Sequence, residues 1–557
     1  MARRISCIDK SSRRRGANVY YAVPYTDSLT GKTSRSIFPW LASLLFISLS
    51  VGFIPYAGIQ EDEALFSVPF FERPAREFRV RLLHHDIPLM VMTYVGALKT
   101  WIFCPLVHWF GPSAWTVRLP VVLIGGVTVF LFYRLMIALG VGRGFAAAGA
   151  LLLATDPVFI LTNTFDWGPV AIEHVLLVAG CLLLVRFCRD PSKTRFLGWG
   201  FFCFGLALWN KALFIWALSG LTIATILVCR RELRRLLTWP NVRVAALSMI
   251  VGALPFVIYN LRNANATVSE NAHIDLAHMP SKWLQLERAA DGSSLFGFMS
   301  GEDSDGSPKP AESRRGRLAQ WIWRHTGEHR DTGFLYVFGV MLILVPLWRR
   351  SRAAWFSLVF VAVAWGMMAI TKNAGAAAHH DILLWPFPIL FAVCVLASIP
   401  WRPAGIAAAA AMIVMNLLVV NQYVVQFERD GGAENFTDAL FGLDRALPEN
   451  QTIYIIDWGM NATTQLAHMG RLHAHAVFGP VRSDSPTPEQ QGQLAAMLSD
   501  RDAVWLDHVA AREEFAGVGA NLDRFASAAG YRKERLNTIS DSNHRPVFEI
   551  FRYLPVK

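Results

Sequence analysis

The sequence is poor in charged residues and in cysteine. Only 17% of the 557 residues are Asp, Glu, Lys or Arg, whereas 53% are hydrophobic. Soluble domains carry about 25% charged residues, so this composition excludes an ordinary soluble enzyme and predicts a polytopic membrane protein. The seven cysteines form no CxxC pair, and none lies in the polar segments 263–331 and 422–557, which argues against a disulfide framework or a zinc knuckle.

Other common functional patterns are also missing. No glycine-rich phosphate loop follows the apolar run that ends at Ile456, so we predict no nucleotide cofactor. We find no internal repeat. The formal net charge of +11 comes largely from short basic runs between hydrophobic segments. This is the positive-inside pattern of membrane proteins, and it argues against nucleic-acid binding.

Hydrophobic segments long enough to cross a bilayer recur along the chain. The first covers about residues 38–57 and follows a basic tail, 1–37. No small-residue cleavage site follows it, so we predict an uncleaved anchor. A length of about 20 residues spans roughly 30 Å of hydrocarbon as a helix. Further runs begin near 87, 118, 144, 168, 196, 212, 244, 332, 353, 382 and 404.

The basic residues decide the predicted topology. The basic connectors between spans lie on the same side of the membrane as the N-terminal tail only if the segment 87–110 does not cross the membrane. This segment contains Lys99 and Pro105. We therefore predict about 11 transmembrane helices, with 87–110 as a juxtamembrane or re-entrant helix, the N-terminus in the cytoplasm and the C-terminus outside. The basic connectors on which this depends are 189–195, 230–243, 349–352 and 401–402.

This topology divides the chain into three predicted parts. They are a cytoplasmic tail (1–37), a transmembrane domain (38–421) with outer loops 58–117 and 263–331, and an extracytoplasmic domain (422–557). The last part is long enough to fold as a small domain. Its apolar patterns predict an α/β fold. The predicted strands are 452–456, 503–506 and 547–553, and the predicted helices are 489–498 and 522–529.

Acidic residues at the predicted outer ends of spans are the candidate catalytic groups. Asp62 and Glu63 come directly after the first span, and Asp166 ends a later one. An ionised carboxylate at a membrane surface can act as a general base towards a hydroxyl or an amine. These residues could instead be solvated or cap a helix. Glu173 lies inside the next span, where an acid marks a functional site or pairs with a cation such as Lys211.

Histidines and cations near the same face suggest ligand binding. Two identical His-His-Asp triplets, 84–86 and 379–381, have the donor chemistry of a divalent metal site, and His273 could add a ligand. Polar residues at the lipid headgroups would also explain the triplets, and this is the favoured explanation. Four cations at span ends bind either headgroups in general or a phosphate linked to a lipid, and these are Arg118, Arg262, Lys211 and Lys372.

Taken together, residues 40–400 resemble the GT-C superfamily of membrane glycosyltransferases. The closest branch contains protein O-mannosyltransferases and lipid A aminoarabinose transferases, that is, glycosyltransferase family 39. Asp62-Glu63 is similar to the Asp-Glu of the first outer loop of this family. The other matching segments are HDIPL (85–89), GPSAWTVRLP (111–120) and GLALWNK (205–211). Ile87 and Asn210 depart from the family, which has Pro and Thr there.

The resemblance implies an enzyme of the cytoplasmic (inner) membrane that transfers a sugar, with inversion, from a polyprenyl-phosphate donor. The acceptor would be a lipid, a glycan or a protein. Asp62, next to Glu63, would be the general base, and Asp166 the second acid. Asp86, with His273 and His85, would hold a divalent ion such as Zn, Mg or Mn. The leaving phosphate would contact cations from the set Arg118, Arg262, Lys372 and Lys211.

Two other functions compete with an enzyme. A flippase for a lipid-linked sugar would use the acids to couple ions to movement, but such transporters usually have paired halves and helices broken near the membrane centre. The acids here gather at one predicted surface, which favours the enzyme. A non-catalytic assembly protein for envelope polysaccharide would keep its function after Asp62 and Asp166 lose their charge.

Overall fold

The structure, a computed structural model, is helical over most of its length and ends in a mixed β-sheet. It describes residues 36–71, 76–302, 311, 313–483 and 485–556. The basic tail proposed for 1–37 lies almost entirely outside these residues. The helices before the C-terminal region are α1 (Phe38–Val51), α2 (Glu61–Leu65), α3 (Leu98–Phe110), α4 (Ala114–Ala138), α5 (Arg143–Thr155), α6 (Pro157–Thr162), α7 (Val170–Arg189), α8 (Thr194–Asn210), α9 (Phe214–Val228), α10 (Arg230–Leu236), α11 (Trp239–Gly252), α12 (Leu254–Arg262), α13 (Ala266–Asn271), α14 (Met279–Asp291), α15 (Arg314–Thr326), α16 (Phe334–Ile343), α17 (Val345–Trp348), α18 (Arg352–Ala369), α19 (Ala378–Asp381), α20 (Phe387–Leu396) and α21 (Arg402–Asp430).

Four of the described helices are long and apolar enough to cross a membrane alone, namely α4, α7, α18 and α21. Three bent pairs raise the number to as many as seven: α9 with α10 (99°), α11 with α12 (72°) and Ala378–Leu384 with α20 (45°). Pro255 and Pro388 stand at the start of α12 and α20, where the missing N–H interrupts the helix. The count of 11 therefore stays a prediction.

The segment 87–110 is not one helix. Its first half belongs to strand β2 (His85–Met92), which pairs with β1 (Phe78–Leu82) and β3 (Val95–Gly96) in an antiparallel sheet. Its second half is α3, which has 13 residues and is absent from the candidate spans among the described residues. This agrees with the prediction that the segment does not cross the membrane.

Close helix packing places the loop after α1. A Cβ atom at Gly125 of α4 would lie 2.6 Å from the ring of Phe46, and one at Gly126 would lie 2.9 Å from the side chain of Ile47. The two glycines therefore let α1 approach α4 more closely than any larger residue would allow. This contact fixes the end of α1, from which the loop to Asp62 begins.

The described part of the predicted outer loop 263–331 contains three helices. It contains α13, α14 and α15 in addition to its connecting turns. Tyr423 of α21 donates a hydrogen bond to the carbonyl oxygen of Gly292 (2.7 Å), and its ring stacks on Phe296 at 3.8 Å. The described part of the loop is therefore packed against α21.

The C-terminal region forms a five-stranded sheet in the order β5-β4-β6-β8-β7, in which β5, β4 and β6 are parallel and β8 and β7 are antiparallel to their neighbours. All the elements predicted for this region are present. Both unpredicted strands, β5 and β7, lie at the sheet edges and lack a continuous apolar pattern. The elements are α22 (Leu440–Ala446), β4 (Thr452–Ile455), α23 (Asn461–Ala467), β5 (His473–Ala476), α24 (Phe478–Val481), α25 (Pro488–Ser499), β6 (Val504–His508), α26 (Val518–Ala528), β7 (Tyr531–Ser540) and β8 (Pro546–Pro555).

The proposed boundary at 421/422 falls inside a helix. α21 continues from Arg402 to Asp430 without a break. The division into a membrane domain and a separate C-terminal domain therefore stays a prediction.

Candidate active site

Asp62 lies in the first turn of α2, a helix of five residues. The side-chain oxygen of Gln60 accepts hydrogen bonds from the backbone N–H groups of Asp62 (2.8 Å) and Glu63 (3.1 Å). Gln60 is therefore the residue that caps this helix. Helix capping was one of the two non-catalytic explanations for an acid at this position. Because Gln60 already supplies the cap, the structure gives the Asp62 carboxylate no capping role.

The surroundings of Asp62 change its acidity. Burial raises the pKa of the Asp62 carboxyl from 3.8 to about 6, whereas a hydrogen bond with Gln60 and the charges of Lys211 and Lys99 lower it in part. Burial, together with the charge of Asp62, raises the pKa of the Tyr94 hydroxyl. A carboxyl with a pKa near 6 is ionised at neutral pH and is still basic enough to accept a proton from a substrate.

Asp166 forms a buried ion pair with Lys99. The Lys99 ammonium lies 3.0 Å from Asp166 Oδ2 and also donates to the Asp166 carbonyl oxygen, and neither side chain is exposed beyond 1%. Asp166 Oδ1 accepts the backbone N–H of Val170, the first residue of α7, at 2.7 Å. Asp166 therefore accepts an N–H group at the start of α7, although the N-cap position itself is Pro169, and it also holds a cation at the site.

Lys211 is a second buried cation in the same place. Its ammonium donates to the carbonyl oxygen of Gly168 (3.1 Å), and it is close enough to Glu173, Asp166 and Asp62 to interact electrostatically with each of them. Glu173 is 2% exposed and, together with His174, lines a mostly apolar cavity beside α9 and α18. Asp62, Asp166, Glu173, Lys99 and Lys211 thus form one buried cluster of charges.

Glu63 and Arg118 belong to a separate, closed arrangement. Arg118 donates to both carboxylate oxygens of Glu63, each at 2.7 Å, and to the carbonyl oxygens of Ile54, Ala57 and Gly58 at 2.6–2.7 Å. A guanidinium has five N–H donors, and all five are used here. The pair is buried. As it stands, Arg118 has no donor left for a substrate phosphate, so we assign the pair a structural role.

The other two predicted phosphate-binding cations are not brought to this cluster. Both Arg262 and Lys372 have exposed side chains. The backbone N–H of Lys372 donates to the carbonyl oxygen of His273 (2.7 Å), so the structure does join these two predicted residues. This contact is between backbone groups and does not involve the side chains.

The structure does not bring the predicted metal ligands Asp86, His85 and His273 together. Asp86 is ion-paired with Arg79 at 2.6 Å, and the side chains of His85 and His273 are both exposed. The described residues contain no metal-like group of three or more ligands that includes any of them. A carboxylate already neutralised by a guanidinium is a poor ligand for a cation, so no step of the reaction is assigned to a metal at this position.

The second His-His-Asp triplet lies beside the cluster, with Asp381 buried and both histidines partly buried. His379 Nδ1 accepts a hydrogen bond from the indole N–H of Trp167 (2.8 Å), one residue after Asp166. A Cβ atom at Gly168 would lie 2.8 Å from the His379 ring, so only glycine fits against it. This triplet therefore packs the turn that presents Asp166, and the two identical triplets have different surroundings.

The described residues that could hold a metal ion are instead Asp457, Asp507 and His508, all buried, with ligand atoms within 4.8 Å of one another. Asp457 already accepts hydrogen bonds from His508 Nδ1 and from three backbone N–H groups, at 2.7–3.1 Å. Burial, followed by the charges of Glu513 and Asp457, raises the pKa of the Asp507 carboxyl to about 8. These residues have the right chemistry for a divalent ion, but Asp457 would have to give up existing hydrogen bonds.

The sequence does not reveal the contributions of Lys99, Gln60 and Tyr94 to the site. In the sequence, Lys99 indicates only that the segment 87–110 is a poor membrane span. A lysine inside an otherwise apolar segment is itself a sign of function, because its burial is costly without a partner. Gln60 and Tyr94 gave no signal, since neither residue type is unusual beside a membrane span.

A known protein family matches part of the chain. The family model of dolichyl-phosphate-mannose-protein mannosyltransferases matches residues 94–259, a segment that includes Lys99, Arg118, Asp166 and Lys211. No curated protein matches the chain.

Two solved structures share the fold. ArnT from Cupriavidus metallidurans bound to undecaprenyl phosphate has a TM-score of 0.54 and 11% sequence identity, over 92% of this chain and 97% of that chain. An oligosaccharyltransferase from Archaeoglobus fulgidus, in complex with Zn and sulfate, has a TM-score of 0.50 and 12% identity, over 93% and 73%. The family model and this common architecture support the assignment of the chain to the GT-C superfamily of membrane glycosyltransferases.

Proposed function

We propose that this chain transfers a sugar from a polyprenyl-phosphate donor to an acceptor at the outer face of the cytoplasmic membrane, with inversion at the anomeric carbon. Asp62 is the general base. The observation that carries the proposal is this carboxylate, whose pKa is near 6, within electrostatic reach of two buried lysines, Lys99 and Lys211. The base can take the proton that the sugar acceptor must lose. The two cations can stabilise the phosphate that must leave.

The reaction needs one proton transfer and one displacement. Asp62 takes the proton from an acceptor hydroxyl or amine, and the freed electron pair attacks the anomeric carbon. The bond from that carbon to the phosphate oxygen breaks on the opposite face, and the lipid phosphate departs with the electrons. Lys211 and Lys99 stabilise the charge that develops on the phosphate.

The acids of the buried cluster also hold the two lysines in place. Asp166 holds Lys99 at 3.0 Å, and Glu173 and Asp166 both act on Lys211. Asp166 is therefore proposed as a positioning residue for Lys99 rather than as a second base. The ion pair of Glu63 with Arg118 helps to hold α2 in place. Arg262 and Lys372, being exposed, are proposed to meet lipid headgroups.

The known ligands of structural relatives fit a lipid-phosphate donor. The ArnT structure contains undecaprenyl phosphate, and another structure of the archaeal oligosaccharyltransferase contains dolichol phosphate and an inhibitory peptide. The acceptor class of this chain, whether lipid, glycan or protein, is left open, because acceptor recognition depends on loops that vary within one fold.

The experiment supplies purified protein in liposomes with radiolabelled polyprenyl-phosphate sugars and a panel of lipid, glycan and peptide acceptors. Label that moves from the donor to an acceptor supports the proposal. Label that crosses the bilayer while it remains on the polyprenyl phosphate would support a flippase instead. Inversion is read from the anomeric configuration of the product.

A further inference from the structure

The short segment that leads into Asp62 is bound by the C-terminal region. Glu61, the residue before Asp62, accepts the backbone N–H of Ala462 with both carboxylate oxygens, at 3.0 and 2.8 Å. The two residues are 401 positions apart in the sequence. The bidentate contact therefore joins the start of α2 to the start of α23, which follows the first strand of the C-terminal sheet.

Two further contacts hold the same segment. The hydroxyl of Thr463 donates to the carbonyl oxygen of Ile59 (2.8 Å), and the backbone N–H of Gly58 donates to the carbonyl oxygen of Phe436 (3.0 Å). A Cβ atom at Gly58 would lie 2.1 Å from the carbonyl oxygen of Thr437, so only glycine allows this approach. Hydrogen bonds to the C-terminal region therefore hold Gly58, Ile59 and Glu61 in this segment.

A helix as short as α2 cannot hold its own position. It has five residues, and forming a single helical turn in isolation is unfavourable. The placement of Asp62 must therefore come from tertiary contacts on either side of it. The Glu63–Arg118 pair supplies one side, and the contacts of Gly58, Ile59 and Glu61 with the C-terminal region supply the other.

We propose that the C-terminal α/β region positions the general base, and that Glu61 and Thr463 are the positioning residues through which it does so. This inference rests on the proposed function, in which Asp62 is the base. The region then has a part in the transfer itself, in addition to any contact it makes with the acceptor.

The test compares Glu61→Ala and Thr463→Val with two matched surface controls, Glu489→Ala and Thr538→Val, which lie at exposed positions. We expect each positioning variant to lower kcat by about 10- to 100-fold, because a displacement near 1 Å costs about that much, while KM for the donor changes less than about 2-fold. Glu61→Gln keeps one acceptor oxygen for Ala462 and should recover most of the rate. The controls should transfer at the native rate.

A second readout separates positioning from general loss of structure. The groups that face Asp62 are Lys211, Lys99, Tyr94 and Gln60. If α2 loosens, Asp62 gains water, and the acid limb of the kcat/KM profile moves to lower pH in Glu61→Ala. Native-like rates in Glu61→Ala and Thr463→Val would overturn the inference. So would a loss of rate with an unmoved acid limb and no recovery in Glu61→Gln.

Failure of the proposed function is recognised separately. If the native protein transfers no sugar, hydrogen–deuterium exchange still tests the attachment. Faster exchange over residues 59–66 in Glu61→Ala, with unchanged exchange in α4 and α7, would support attachment by the C-terminal region. Unchanged exchange over 59–66 would overturn it.

Discussion

Arg118 and Glu63 form a closed pair, in which the carboxylate takes two of the five guanidinium N–H groups and backbone carbonyls take the other three. The carbonyls belong to the turn that ends the first hydrophobic segment. Arg118 therefore ties that turn to the start of α4. The two residues that follow Glu61 in the DE motif thus have different tasks, since Asp62 faces the charged cluster and Glu63 faces Arg118.

Breaking this pair should damage stability more than chemistry. Glu63→Gln leaves a buried guanidinium without its counter-charge, and such a loss typically costs about 3–5 kcal/mol. We expect a clearly lower Tm in detergent, whereas Arg262→Gln, which removes an exposed cation, should leave the Tm unchanged. An unchanged Tm in Glu63→Gln would contradict the structural role.

The two buried lysines should act on the donor. Lys211→Met removes a charge near the leaving phosphate, so kcat/KM for the donor should fall by about 100-fold. Lys193→Met, at an exposed position, is the control and should have no effect. The measurement is the initial rate of transfer as the donor concentration is varied. Equal kcat/KM values in Lys211→Met and the native protein would remove Lys211 from the reaction.

Lys99 differs from Lys211 because it has a dedicated partner. Lys99→Met leaves Asp166 buried without its cation and should lower the Tm as well as the rate. The double variant Lys99→Met/Asp166→Asn removes both charges, so it should recover the Tm but not the rate. Recovery of both quantities would show that Lys99 has only a structural role.

Asp62 should lower the stability of the protein at neutral pH. The pKa of the Asp62 carboxyl is raised from 3.8 to about 6 in the folded protein. The stability that the protonated carboxyl contributes is therefore fully present below pH 3.8 and is lost as the pH rises through 6. Two pKa units correspond to at most about 3 kcal/mol, and the partial exposure of the side chain reduces this. Asp62→Asn should therefore have a higher Tm than the native protein at pH 8 and the same Tm near pH 4. A lower Tm at pH 8 would contradict this assignment.

Local patterns in the sequence were sufficient for several elements. The strands near 452–456 and 547–553 were predicted because apolar residues of the core are continuous there. The strand β7 was missed because an edge strand needs only one apolar face, and Tyr531–Ser540 is mostly polar and exposed. The resemblance of the Asp62 segment to a known superfamily was also readable, since it depends on adjacent residues.

Long-range pairing was not readable from the sequence. Arg118 and Glu63 are 55 positions apart, so nothing in the sequence showed that the arginine was already occupied. A cation at a span end is equally suited to a headgroup, a substrate phosphate or a buried acid. The ion pair between Asp86 and Arg79 of the adjacent strand was not readable for a related reason, because a cation seven residues away can pair with an acid or face water.

The central claim is that Asp62 accepts the proton of the acceptor. The most direct measurement is the rate of sugar transfer from a labelled polyprenyl-phosphate donor by the native protein and by Asp62→Asn, each checked for folding by its Tm. The account predicts that Asp62→Asn binds the donor normally and transfers at least about 100-fold more slowly, and that the native rate falls below pH 6. Equal rates in the two proteins would contradict the account.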